Sequence, residues 1–269
     1  MMRKAILLSA CMAALGASRG ELIELAVGDA SCTVDTVGAR VVSYRVAGEE
    51  VLWRPEPSVA VDADVPWAHG GIPLAWPWFG RLGTGDAHIH GYAWRTPFAV
   101  TRRTPTGVTL TLSTEMAELE YSVALGSRLS LRLRTVNRSS HDFPLGQAFH
   151  PYFRVGERDA VRIDGVDRLP ICVTNAVDRG VRFEGPRPTC AYRIHDGALN
   201  RVLRIEALNS TGVNVWNPGA EKNCPGVIPG DAWRRFVAVE PYAMGDNRFW
   251  VLRPGEETVL EMKVEVEDK

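Results

Sequence analysis

Strict alternation between apolar and polar residues is the pattern that most constrains the fold of this chain. In residues 128–134 every second residue is leucine, and near the C-terminus Leu260, Met262, Val264 and Val266 alternate with charged residues. Successive side chains of a β-strand point to opposite faces, so a period of two puts the apolar side chains on one face and the charged ones on the other. Both segments are therefore predicted to be strands with one buried and one solvated face.

Shorter runs of β-forming residues fill much of the remaining chain. Gly, Pro, Asn or Asp separates most of them, at the spacing typical of an all-β sandwich. After residue 20 no amphipathic helix longer than two turns is evident, and no linker or block of charge divides the chain. We predict an all-β fold, with one antiparallel β-sandwich domain over residues 21–269. The shorter runs cover residues 32–37, 41–46, 108–112, 119–125, 202–207, 213–216 and 236–239.

The charge balance argues against several kinds of partner. Among 269 residues, 31 are basic and 32 are acidic, which leaves a formal net charge of −1. Such a chain lacks the basic surface that nucleic acids and anionic membranes attract, so neither is expected as a partner. No segment after the N-terminal region approaches the ~20 apolar residues that a membrane-spanning helix needs. The sequence leaves the oligomeric state open.

Residues 1–20 differ in character from the rest of the chain. A short basic start, Met1 to Lys4, precedes an apolar run over residues 5–17 and small residues at 16–18. This order is typical of a secretory signal peptide, and the apolar run is too short to span a membrane. The other interpretation is an ordinary N-terminal extension. The protein is periplasmic or secreted if the leader is functional, and cytoplasmic otherwise.

The cysteines fit either compartment. With the leader removed, Cys32, Cys172, Cys190 and Cys224 remain, and none of them has the C-x-x-C spacing of a zinc site. We expect them to be buried free thiols, since unpaired cysteine commonly behaves as a small apolar residue.

Three stretches rich in Gly, Pro, Trp and His break the alternation, at residues 67–95, 147–156 and 213–246. They are expected to form loops on a rigid sheet scaffold, which is where binding and catalytic residues commonly lie. The first stretch contains His88 and His90, whose H-x-H spacing would suit two metal ligands on a strand. No third ligand stands at a recognisable spacing, so no metal is expected.

One histidine and one carboxylate in these stretches suit acid–base chemistry. His150 is surrounded by aromatic residues and proline, and Glu240 is predicted to end an apolar strand over residues 236–240. Taken singly, each could be a structural or solvated group. Taken together, and flanked by Trp and Tyr rings that can stack on a pyranose, they favour proton transfer on a sugar. The sequence contains no nucleophile elbow, phosphate-binding loop or dinucleotide fingerprint, which argues against acyl, phosphoryl and hydride transfer.

Several short motifs follow one another in a recognisable order. They are GGIP (70–73) with WPWFG (76–80), HGYA (90–93), FHPYF (149–153), VDR (177–179), VWNPGAEK (215–222) and VEP (239–241). In that order they resemble the glucose-6-phosphate 1-epimerase (hexose-6-phosphate mutarotase) family of the galactose-mutarotase-like superfamily. The resemblance spans essentially all of the chain after the leader. It implies a β-sandwich of the supersandwich type and the interconversion of hexose anomers.

The resemblance also implies roles for individual residues. His150 would be the general acid and Glu240 the general base, while His90 and Asp178 would lie in the sugar-binding pocket. Trp216 is also counted among the expected substrate contacts. Proton transfer alone would open and close the ring, so no cofactor is expected. The expected partner is a small-molecule sugar or sugar phosphate.

The chain departs from the family pattern where the substrate would be held. His69 stands where the family commonly has arginine, and Ile89 and Trp94 replace a glutamine and an arginine. Arg81 and Arg95 lie nearby in the sequence and could supply the bidentate contacts that a phosphate accepts. His69, Trp94, Arg81 and Arg95 are therefore counted among the expected substrate contacts.

Two alternatives remain open at this point. An aldose 1-epimerase would act on the unphosphorylated sugar, and a non-catalytic carbohydrate-binding β-sandwich would keep the fold without turnover. The presence of both His150 and Glu240 argues against the second alternative, because binding alone requires no acid–base pair.

Overall fold

A computed structural model describes residues 20–55, 70–82, 89–166, 171–173, 177–187, 189–220, 228, 230–245 and 249–267 of the chain. Regular structure in these ranges is almost entirely β-strand, with short 3-10 turns at Ala93–Arg95, Arg158–Ala160 and Gly230–Arg235. The all-β prediction is confirmed. Within the same ranges, no helix has the length and apolar character that crossing a membrane would require.

The strands of the described residues are numbered in chain order. They are β1 (Leu22–Val27), β2 (Ala30–Asp35), β3 (Arg40–Val46), β4 (Glu49–Glu50), β5 (Leu74–Ala75), β6 (Ala99–Thr104), β7 (Gly107–Ser113), β8 (Ala117–Leu125), β9 (Leu129–Asn137), β10 (Phe143–Phe149), β11 (Tyr152–Arg154), β12 (Val161–Asp164), β13 (Ile171–Cys172), β14 (Val177–Arg187), β15 (Cys190–Asp196), β16 (Arg201–Leu208), β17 (Ser210–Asn217), β18 (Phe236–Met244), β19 (Trp250–Leu252) and β20 (Glu257–Glu267). The two segments with the clearest alternation are β9 and β20, and they pair with each other.

These strands form antiparallel sheets of four, seven and nine strands. The nine-stranded sheet has the order β13-β12-β15-β16-β20-β9-β8-β7-β6. The seven-stranded sheet has the order β14-β17-β18-β10-β19, with β11 added beside β18 and β5 beside β10. Strands β1 to β4 form a separate meander.

A single hydrophobic cluster contains side chains of both large sheets. Leu131 and Leu133 of β9 and Val237 and Val239 of β18 all belong to it. On β9, buried leucines alternate with partly exposed polar residues, as the period of two predicts. Burying each such side chain stabilises the fold by about 1.5–3 kcal/mol. The outward face of the nine-stranded sheet carries charged pairs instead, such as Arg132 with Glu261 at 3.4 Å.

The three stretches predicted to be loops contain strands, so that prediction is wrong in part. Residues 213–246 include most of β17 and all of β18, where the β runs at 213–216 and 236–239 were predicted, and residues 147–156 include the end of β10 and all of β11. The prediction that Glu240 ends a strand is also wrong, because it lies in the middle of the nine residues of β18. Eight of those nine residues are buried, so the strand shows no alternation in the sequence.

The predicted leader and two of the four predicted thiols lie outside the residues or side chains that the structure describes. Residues 1–19, Cys224 and the side chain of Cys172 lie outside the described residues. Cys32 and Cys190 are buried free thiols, as expected. Burial raises the pKa of Cys32 to about 12, so its thiol stays protonated. The division into a leader and one domain over residues 21–269 stays a prediction.

Candidate active site

The register of the seven-stranded sheet places Glu240 and His150 opposite each other. On one side of β18, Asn214 of β17 pairs with Glu240. On the other side, β10 pairs with β18 as far as Ala148, and β11 resumes the same register at Tyr152. The position opposite Glu240 is therefore His150, in the short gap between β10 and β11.

Two prolines lie beside this gap in the ladder. Pro151 follows His150 in the chain and Pro241 follows Glu240, and neither has an N–H to donate to a neighbouring strand. The backbone N–H of His150 donates instead to the carbonyl of Pro73 at 3.0 Å. The local sequence therefore interrupts strand pairing at the residue whose side chain faces Glu240.

Alternation along the strands puts the candidate residues on the face of the sheet away from the core. Val239 points into the hydrophobic cluster, so its neighbour Glu240 points to the opposite face. Trp216 of β17 and Asp178 of β14 are paired residues, and they lie on this same face as Glu240. Side chains predicted from four separate parts of the sequence, including His150, are thus brought together by strand pairing.

His150 and Glu240 form a buried pair. Nε2 of His150 lies 3.4 Å from Oε1 of Glu240, and the two side chains are 8% and 1% exposed. This separation is within the range of an ion pair and is long for a hydrogen bond. Oε1 of Glu240 and Nδ1 of His150 are both buried without a hydrogen-bond partner. Buried polar atoms rarely stay unsatisfied, and the exceptions commonly have a catalytic or binding role.

The other carboxylate oxygen of Glu240 faces Asn214. Nδ2 of Asn214 lies 3.5 Å from Oε2 of Glu240 and also 3.5 Å from Oδ1 of Asp178. Exposure increases along this row, from the buried Glu240 through the half-buried Asn214 to the exposed Asp178. The row leads from the buried pair to the surface of the protein.

His90 lies beside His150, with ring centroids 5.1 Å apart. Its Nδ1 accepts a hydrogen bond from the backbone N–H of Gly80 at 3.0 Å, so the neutral ring carries its hydrogen on Nε2. Burial lowers the pKa of His90 well below its ordinary value, and a charge on His150 lowers it further. His90 is thus a neutral ring with one N–H.

His90 does not lie in a strand, where the H-x-H spacing would suit two metal ligands. This residue has φ of 64° and lies in a bend, which is the left-handed conformation that non-glycine residues seldom adopt. His88 lies outside the described residues. No three His, Cys, Asp or Glu side chains are arranged to hold a metal ion in the part of the chain that the structure describes.

Aromatic rings surround the acid–base pair. The ring of Tyr152 stacks on His150, with centroids 4.8 Å apart and planes at 19°. Trp216 meets His150 edge-on at 6.1 Å, and Phe79 stacks on His90 at 5.1 Å. Trp216 and Phe79 are only half-buried, so they retain exposed ring surface. Such surfaces, next to a few polar groups, are typical of sites that bind small polar ligands.

Burial shifts the two members of the pair in opposite directions. It raises the pKa of Glu240 well above its ordinary value, while the hydrogen bond from Asn214 lowers this pKa and the charge of Asp178 raises it. Burial lowers the pKa of His150 to about 4. Both shifts favour the uncharged forms, in which Glu240 is protonated and the ring of His150 carries a single N–H.

The described contacts of Trp94, Arg95 and Arg81, three of the remaining predicted substrate contacts, are with residues other than His150 and Glu240. Trp94 is 8% exposed, and its indole N–H donates to a backbone carbonyl of its own turn at 3.1 Å. The guanidinium of Arg95 lies over the Trp94 ring at 5.5 Å, and Arg81 is exposed. His69 lies outside the described residues. The part of these four residues in substrate binding stays a prediction.

Sequence reasoning missed Asn214 and Tyr152, which contact the central pair. Asn214 lies two positions from Trp216, and Tyr152 lies two positions from His150. Residues two apart in a strand share a face, so this spacing could have identified Asn214 once β17 was predicted. Tyr152 could not be found in this way, because His150 lies in the gap before β11.

Solved structures first define the class to which this fold belongs. The crystal structure of a "putative mutarotase" from Salmonella typhimurium has a TM-score of 0.76 and 25% identity, and the match covers 92% of this chain and 90% of that one. A galactose mutarotase-like protein from Clostridium acetobutylicum has a TM-score of 0.70 at 16% identity, covering 93% and 99% of the two chains. The fold is therefore that of the galactose-mutarotase-like β-sandwiches, as the motifs predicted.

Sequence comparison then gives the family. The aldose 1-epimerase family model matches residues 21–177, and the chain belongs to that family. It is an isomerase that acts on a small-molecule sugar. A Salmonella typhimurium protein named "Putative glucose-6-phosphate 1-epimerase" is 28% identical over 231 residues, which cover 76% of each chain.

Proposed function

We propose that this protein is a hexose mutarotase in which Glu240 and His150 exchange protons with the sugar at its anomeric centre. The observation that supports this most is the buried pair, with Nε2 of His150 3.4 Å from Oε1 of Glu240. A histidine and a carboxylate are side chains commonly used to move protons near neutral pH. The half-buried Trp216 lies beside them and offers its ring to the apolar face of a pyranose.

In the proposed reaction, Glu240 takes the proton of the anomeric hydroxyl while His150 donates a proton to the ring oxygen. The bond between C1 and the ring oxygen breaks, and C1 becomes the aldehyde carbon of the open chain. The aldehyde then rotates about the C1–C2 bond. Reversal of the two proton transfers closes the ring on the other face of C1 and restores the starting charges. His90, a neutral donor, and Asp178 would hold sugar oxygens during these steps.

The pair holds one proton through this cycle, and burial influences where that proton rests. Because burial raises the pKa of Glu240 and lowers that of His150, the neutral arrangement is favoured over the ion pair. Ring opening starts from the ion pair and ends in the neutral arrangement. Burial therefore favours the proton transfers that open the ring, and the two groups titrate as a coupled unit.

The pH profile of kcat/KM should reflect this shared proton. Below about pH 4, the value to which burial lowers the pKa of His150, a second proton enters the pair and activity should fall. On the alkaline side, activity should fall only above the raised pKa of Glu240, where the single proton is lost. The profile should be measured with glucose as well, because a sugar phosphate itself titrates at about pH 6. An acid limb at the ordinary pKa of imidazole, about 6.5, would contradict this assignment.

Within the hexoses, the proposed substrate is glucose 6-phosphate. Support comes from the Salmonella relative that is named for this activity and from the order of the motifs. The half-buried Arg95 and the exposed Arg81 are the cations proposed to contact the phosphate. Guanidinium groups suit that role because they bind phosphate oxygens in pairs.

Exchange NMR at anomeric equilibrium tests the substrate. We expect enzyme-dependent exchange to be faster for glucose 6-phosphate than for glucose or galactose, and inorganic phosphate should inhibit it. Arg95→Ala should raise KM for the phosphorylated sugar alone. Arg132→Ala, on the outward face of the nine-stranded sheet, should change KM for neither sugar. Equal rates for both sugars without phosphate inhibition would reject the phosphorylated substrate.

The second candidate is an unphosphorylated hexose. Its support is the replacement of family substrate contacts by His69, Ile89 and Trp94, together with the indole of Trp94 being bonded within its own turn. The same NMR comparison decides between the two, since this candidate requires faster exchange of the free sugar.

A further inference from the structure

Asn214 stands between two carboxylates. Its strand, β17, lies between β14 and β18, and its Nδ2 is 3.5 Å from both Oδ1 of Asp178 and Oε2 of Glu240. An amide nitrogen carries two hydrogens, so it can donate one to each carboxylate. Contacts of this length in a free enzyme commonly tighten when substrate binds.

The strand register explains why the amide nitrogen, rather than the oxygen, faces the carboxylates. The residue of β14 paired with Asn214 is Gly180. A Cβ atom at Gly180 would lie 3.6 Å from Oδ1 of Asn214, so the amide oxygen lies over this glycine. The reversed amide would direct its oxygen at two carboxylates, which is unfavourable whenever either is charged.

The two oxygens of Glu240 therefore have different surroundings. Oε2 faces the amide of Asn214, whereas Oε1 faces Nε2 of His150 at 3.4 Å and has no hydrogen-bond partner. One oxygen is anchored and the other is left for proton transfer. A carboxylate without such an anchor could rotate and exchange its two oxygens.

We propose that Asn214 is a positioning residue for the acid–base reaction, which anchors Oε2 of Glu240 and the Asp178 carboxylate together and keeps Oε1 directed at the anomeric hydroxyl. The inference rests on the proposed function, because the role of Asn214 is exerted through Glu240. A neutral amide suits this task, since it donates to both carboxylates. An aspartate at this position would repel them, and an aliphatic side chain would donate nothing.

The anchor also changes how readily Glu240 ionises. The hydrogen bond from Asn214 lowers the pKa of Glu240, whereas burial and the charge of Asp178 raise it. Burial raises the pKa of both Tyr152 and Tyr242 and lowers that of His90, so these neighbours stay neutral. Among the described residues, the titratable groups near Glu240 are His150 after β10, Tyr152 on β11, Asp178 on β14, Tyr242 on β18 and His90 in the turn after β5.

The pH dependence of kcat/KM in two variants tests this inference. Asn214→Leu removes a hydrogen bond that lowers the pKa of Glu240, so its alkaline limb should move to higher pH. Asp178→Asn removes a charge that raises the same pKa, so its alkaline limb should move to lower pH. We expect kcat of Asn214→Leu to fall about 10- to 100-fold, the usual effect of losing a hydrogen bond to a charged group.

Val215→Ala is the structural control, because it damages the core face of the same strand. It should lower the melting temperature and leave the alkaline limb in place. Asn214→Ala repeats the test with a smaller side chain, and thermal melting confirms that each variant is folded. An alkaline limb that stays at the wild-type pH, or moves downward, in both Asn214 variants would overturn the inference. Absence of anomer exchange in the wild type would instead reject the proposed function.

Discussion

Glu240→Gln is expected to lower kcat for anomer exchange by about 10²- to 10⁴-fold, the usual contribution of a general base. The amide keeps the size of the carboxylate but cannot take the proton of the anomeric hydroxyl. Glu240 is 1% exposed and Oε1 lacks a hydrogen-bond partner, so the substitution also removes the cost of burying a carboxyl group. The variant should therefore melt at or above the wild-type temperature. Exchange NMR and a thermal melt on the same preparation measure both effects.

Glu120→Gln is a matched control for this substitution. Glu120 is 36% exposed and pairs with Arg132 at 3.6 Å on the outward face of the nine-stranded sheet. A surface ion pair contributes about 0–1 kcal/mol, so neither kcat nor melting temperature should change much. If Glu240→Gln retained the wild-type kcat, Glu240 would not be the base.

His150→Asn should lower kcat by a similar factor of about 10²–10⁴, because asparagine cannot carry the proton that the ring oxygen receives. Tyr152 loses the ring that it stacks on at 4.8 Å, so a moderate fall in melting temperature is also expected. The control is His195→Asn, since His195 pairs with Asp164 at 2.7 Å on the nine-stranded sheet. Unchanged exchange in a folded His150→Asn sample would remove His150 from the mechanism.

The double variant Glu240→Gln with His150→Asn shows whether the two residues act as a unit. When two groups share one proton-transfer step, removing the second costs little after the first is lost. We expect the double variant to retain roughly the kcat of the slower single variant. Losses that multiply would indicate independent contributions from the two side chains.

Strands with one solvated face could be predicted from the sequence nearly in full, whereas β18, with two covered faces, was predicted only over its first half. β9 and β20 alternate because one face packs in the core and the other carries charge. β18 shows no alternation, because one face lies in the core and the other carries Glu240 and Tyr242 in the site. The strand was predicted to end at Glu240, but it continues through Pro241 to Met244, beside the gap at His150.

The identity of the site residues could be predicted from the sequence, whereas their arrangement in space could not. His150 and Glu240 could be named from motifs, because the residue types and their order along the chain are visible in the sequence. Their pairing depends on β10 and β11 continuing one register across the gap at residues 150–151. The spacing from Trp216 gives the face on which Asn214 lies, but its role depends on its neighbours in β14 and β18, and the local sequence pattern does not specify the register between distant strands.

Side chains of β18 point alternately into the core and into the site, and this limits how the strand can change in length. Deleting one residue between Phe236 and Glu240 would invert every side chain up to that point relative to the rest of the strand, and would turn either valines outward or the carboxyl group into the apolar interior. Deleting or inserting two residues would keep each side chain on its face of the sheet but shift Glu240 along the strand, away from His150. We therefore expect length variants of this protein to be tolerated in its connections and to fail in β18.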